Sequence, residues 1–117
     1  MKSIAVFTSL ILSVSVYAKP VEMWECQQHS SSDWRNILVV ATVEEGRQKG
    51  SIEVAGISHA ATFSIQGFDR RWDFGQQPRS VGYSFVIQPD GSAMYYDFRL
   101  QGQTKPSNFM FCRKRLD

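Results

Sequence analysis

The chain has 117 residues, 43% of them hydrophobic and 21% charged, and its thirteen basic and eleven acidic side chains leave a formal charge of +2. A chain this short has room for one domain. So even a charge balance, with no basic run except Arg113-Lys114-Arg115 near the end, argues against nucleic acid as a partner.

Residues 1–18 read as a secretory signal peptide. Lys2 gives a positive start, Ile4 to Val16 an apolar stretch, and Val16-Tyr17-Ala18 a small-residue cleavage site. The apolar run, broken by Thr8, Ser9, Ser13 and Ser15, falls well short of the roughly 20 residues a spanning helix needs. No later stretch is long and apolar enough for one, so no stable membrane insertion is expected. The mature protein, residues 19–117, is then expected in the periplasm or outside the cell. Removing Lys2 with the signal leaves twelve basic against eleven acidic side chains.

After residue 20 the hydrophobic pattern has a period of two, the signature of strands with one buried face. Val21–Gln27 alternates and ends in the polar turn 29–33. Trp34–Glu45 reads as a longer strand closed at Gly46–Gly50, Ser51–Ala55 as a short one, and His59–Gln66 as the next. Beyond residue 80, Val81, Tyr83, Phe85 and Ile87 share one face. Pro89-Asp90-Gly91-Ser92 carries hairpin chemistry. The strand after it sets Met94, Tyr96, Phe98 and Leu100 against Ala93, Tyr95, Asp97 and Arg99. Asn108–Lys114 is the last. About seven short strands with frequent turns and no helical period predict an all-β fold: a single small antiparallel β-sandwich or barrel.

Cys26 and Cys112 lie near the two ends of the mature chain. An even pair in an exported protein reads as a disulfide, and so long an enclosed loop is worth roughly 4–5 kcal/mol in the chain-entropy model. Cys26 shares a face with Trp24, and Cys112 with Met110, so the terminal strands are expected as neighbours joined through their core sides. Met23, Phe109 and Phe111 then point outward. The run Ile37–Ala41 is apolar on both faces as well. Such strands are either covered on both sides or meet another chain, a second copy or a partner.

One stretch stands apart. Gly67–Ser80, GFDRRWDFGQQPRS, concentrates aromatics and arginines without a clear period. Asp69 and Asp73 lie four apart and invite comparison with the paired carboxylates of a glycosidase, but Arg70, Arg71 and Arg79 surround them and suit an ion-pair network better. His29 and His59 have no nucleophile elbow or metal spacing beside them, and no cofactor fingerprint occurs. Catalysis, metals and cofactors are therefore not expected. Phe68, Arg70, Arg71, Trp72, Phe74 and Arg79 are instead the expected partner-binding residues, being of the types enriched in interface hot spots. The competing possibility is that Trp72 and Phe74 fold back as a plug over an open end of the sandwich, with Asp69 and Asp73 tied to the arginines.

Signal peptide, small all-β domain and single terminal disulfide together resemble small bacterial envelope proteins that act by binding, such as periplasmic lysozyme inhibitors and immunity proteins against cell-wall toxins. The resemblance is architectural and no motif carries it. It implies an inhibitor or immunity-type protein whose partner is another protein, such as a cell-wall hydrolase. The alternatives are an accessory of a secretion or pilus machine docking through a β-edge, and a small hydrolase.

Overall fold

A computed structural model of the chain describes residues 19–29, 33–75, 81–99 and 105–116. The described residues form eight strands: β1 (Pro20–Gln28), β2 (Val39–Glu44), β3 (Lys49–Val54), β4 (Ile57–Gln66), β5 (Asp69–Phe74), β6 (Tyr83–Ile87), β7 (Ser92–Asp97) and β8 (Asn108–Leu116). Each pairs antiparallel with the next, and β8 returns to β1 to close an up-and-down barrel. Of the sandwich and the barrel, the chain adopts the barrel. Closure leaves no unpaired strand edge.

Tight turns make this meander. Ala55 and Gly56 form a two-residue loop with φ of 50° and 85°, the left-handed pair that matches the twist of hairpin strands. Gly67 opens the equally short β4–β5 turn at φ 67°. At the expected Pro89–Ser92 hairpin, the Gln88 N–H donates to the Ser92 carbonyl (2.8 Å) and the Gly91 N–H to the Gln88 carbonyl (2.9 Å).

Alternation sends Val39, Ala41 and Val43 inward from β2, and Thr42 outward. The interior is filled by aromatics in mutual contact: Phe63 lies 5.1 Å from Trp72, and Trp72 lies 6.2 Å from Phe85 between ring centroids. At one end Phe74, Tyr83 and Tyr95 continue the stack.

Cys26 and Cys112 face each other across β1 and β8 and are joined, with Cα atoms 4.0 Å apart. The bond fastens the first strand to the last at the seam that closes the ring. The disulfide and the inward Trp24–Cys26 and Met110–Cys112 faces are as the alternation predicts, and Phe109 and Phe111 do point outward. A disulfide of this kind belongs to an oxidising, non-cytosolic environment. The expected signal segment, residues 1–18, lies outside the described residues.

Two expectations need correction. The strand expected from Trp34 begins only at Val39, and Leu38 packs on the core from the preceding loop. The stretch judged aperiodic contains a complete strand, β5, which brings the count to eight.

Candidate protein-binding surface

β5 divides the expected site between the two faces of the barrel wall. Arg70, Trp72 and Phe74 point in; Asp69, Arg71 and Asp73 point out. Trp72 is fully buried, and its indole N–H donates to the Thr42 carbonyl at 2.8 Å. Gly50 makes this reach feasible, because a Cβ there would lie 2.0 Å from the Thr42 carbonyl oxygen and 2.9 Å from Trp72 Nε1. Phe74 is also core. Both side chains fill the barrel interior from a wall strand, so they are not exposed for contact, and they are not a loop folded back over an open end. Phe68 is 85% exposed at the tip of the β4–β5 turn. Arg79 lies outside the described residues.

Arg70 was expected beside Asp69 or Asp73 but turns into the barrel mouth, where it grips Glu22. Its Nε donates to Glu22 Oε1 at 2.8 Å and its Nη2 to Oε2 at 3.1 Å. Arg47 Nη1 donates to Oε2 at 2.5 Å, and the Trp24 indole to Oε1 at 3.0 Å. Glu22 is only 1% exposed. Burial opposes its charge, but the hydrogen bonds from Arg70, Arg47 and Trp24 outweigh that and hold its carboxyl at about 2. Glu22 has no place among the expected site residues. The signal for it was its position on the core-facing side of Trp24 and Cys26. At the opposite end, burial, with the neighbouring charges of Tyr83 and Asp97, pushes the Tyr95 hydroxyl up to about 12.

On the outer wall, Arg71 Nε donates to Asp73 Oδ1 at 2.8 Å and Nη2 to Ser84 Oγ at 3.1 Å. The Ser84 hydroxyl in turn donates to Asp73. This is the ion-pair role foreseen for one aspartate and one arginine of the stretch. Ser84 is fully buried with its hydroxyl engaged on both sides, so it has no geometry for attacking a substrate. His59 rests against the Phe74 ring at 5.6 Å. Among the described residues, no three His, Cys, Asp or Glu side chains converge to hold a metal.

Register aligns one transverse row across four strands: Arg71 opposite Val86, Val86 opposite Met94, Met94 opposite Phe109. Two grooves follow this row and share Met94. One, of about 340 Å³, is lined by Gln66, Asp69, Arg71, Val86, Met94, Tyr96 and Phe98. The other, of about 400 Å³, takes in His29, Gln88, Ser92 and Phe109. Tyr96 and Phe98 stack at 5.7 Å along one wall, and Phe109 is 54% exposed. With strands about 4.8 Å apart, the row runs about 14 Å, enough for some four residues of an extended segment. The pattern had marked the outward Phe109 and Phe111. The contribution of β5 to the same row was hidden because β5 was not expected as a strand.

No protein-family model, curated protein or solved structure matches the chain.

Proposed function

We propose that this is an exported, non-catalytic binding protein of the periplasm, an inhibitor or immunity-type protein that blocks another protein such as a cell-wall hydrolase or toxin. The observation that carries the reading is the Arg71–Val86–Met94–Phe109 row. It joins two part-apolar grooves that meet at Met94 and are edged by exposed aromatics, on a barrel whose interior is occupied by its own side chains. Exposed aromatic and methionine surface with an arginine at one end is the composition of an interface core. The seam disulfide and packed core hold it rigid, so little ordering cost attaches to binding. An accessory role through β-augmentation is the weaker reading, because it needs an open strand edge.

The test is capture of a partner from envelope extract, with Met94→Glu and Phe109→Ala as companions. Both residues sit on the outer wall, so both variants should keep the wild-type thermal midpoint. We expect wild-type protein to retain one partner, and each variant to lose affinity by about 2 kcal/mol or more. Capture unaffected by both substitutions would remove this face as the site. Concentration-dependent dimerisation abolished by Met94→Glu would assign the face to a second copy in place of another protein.

A further inference from the structure

We propose that the groove over β5–β7 receives a basic side chain, a lysine or arginine projecting from the partner protein, with Asp69 as its counter-ion. The inference rests on the binding function proposed above and adds the chemistry of the contact. Three charged side chains stand at this end of the row, and they are not equivalent. Arg71 is neutralised by Asp73 and fixed by Ser84. That leaves Asp69, whose carboxylate has no ion pair and no hydrogen-bond partner among the described residues. Elsewhere on the barrel Glu22, Glu25, Asp33, Asp73 and Asp97 each hold an arginine. Asp69 is partly buried and lines the same groove as Tyr96 and Phe98. Asp69 offers a cation an ion pair at one end of the groove, and the Tyr96 and Phe98 rings line it towards the other. Val86 and Met94 between them give the methylene stem of such a side chain an apolar bed. An acidic side chain would instead meet Asp69 and an arginine already committed to Asp73.

The probe is N-acetyl-arginine-N-methylamide titrated into the ¹⁵N-labelled protein, alongside its neutral isostere N-acetyl-citrulline-N-methylamide. Shifts should localise to the amides of Asp69, Arg71, Val86 and Tyr96. Binding should be at least about tenfold weaker for the citrulline compound and for Asp69→Asn, and should weaken with added salt. Equal binding of the two probes, shifts elsewhere, no shifts up to the solubility limit, or an unchanged Asp69→Asn variant would each overturn the inference. Tighter binding of tetramethylammonium than of the arginine probe would make this a small-cation site and overturn docking of a side chain. If Met94→Glu loses the captured partner while Asp69→Asn keeps it, the cation inference falls and the binding function stands. If both keep it, the cation inference and the assignment of this face fall together.

Discussion

Glu22 shows how much one side chain can hold in a barrel of this size. Its carboxylate is shared by two guanidiniums and an indole at one mouth, joining β1, the β2–β3 turn and β5. Its carboxyl lies at about 2 when folded against an ordinary 4.5. A carboxyl depressed by folding stabilises the protein above its unfolded value, and that stability is lost as pH falls from about 4.5 towards about 2. A shift of this size corresponds to about 3 kcal/mol. Glu22→Gln should therefore lower stability at pH 7 by about that amount, and urea midpoints of the variant should change less than those of the wild type between pH 5 and pH 2. Parallel pH curves for the two proteins would assign the acid sensitivity to other carboxylates. Trp72 makes the complementary point. An aromatic amid arginines in the sequence looks like a contact residue, yet it is the centre of the core, because what matters is the strand parity it falls on.

At the scale of elements, most of the barrel was legible. The strand through Phe85–Ile87 turns inward the face that its alternation sets apart, and the cysteine faces foretold which strands close the ring. In β7 the alternation left the inward face open, and the barrel takes Ala93 inside while the more apolar Met94–Tyr96–Phe98 face lines an outer groove. β5 escaped for a physical reason. It does alternate, Arg70-Trp72-Phe74 against Asp69-Arg71-Asp73, but an arginine occupies an inward position, and only Glu22, remote in sequence, makes that arginine acceptable inside. The same long-range dependence hid half of the candidate site, since the groove exists only where β5, β6, β7 and β8 lie in register. Gly50 on β3 tests the fit of β5 to its neighbours. Gly50→Ala would press a methyl group into the Thr42 carbonyl and the Trp72 indole, and overpacking of this kind costs about 1–3 kcal/mol. A lower thermal midpoint with altered tryptophan fluorescence is expected; an unchanged midpoint would mean that β2 and β3 have slack at this crossing.

Over the whole molecule, functions separate by surface. The interior is given to aromatic packing, one mouth to the Glu22 cluster, the β1–β8 seam to the disulfide, and the outer wall of β5–β8 to the groove. A closed, stapled ring protects its strand edges and is well suited to presenting one fixed face to a partner in an oxidising compartment. The all-β fold class could be approached from composition and period alone. The position of the working surface could not, because it depends on which outward residues become neighbours once the ring has closed. The most direct check is hydroxyl-radical footprinting of the protein alone and bound to its captured partner. Met94, Phe98 and Phe109 should lose reactivity in the complex while Phe68 on the β4–β5 turn keeps its own. Protection confined to Phe68, with Met94 and Phe109 reacting as in the free protein, would contradict the assignment of the outer wall.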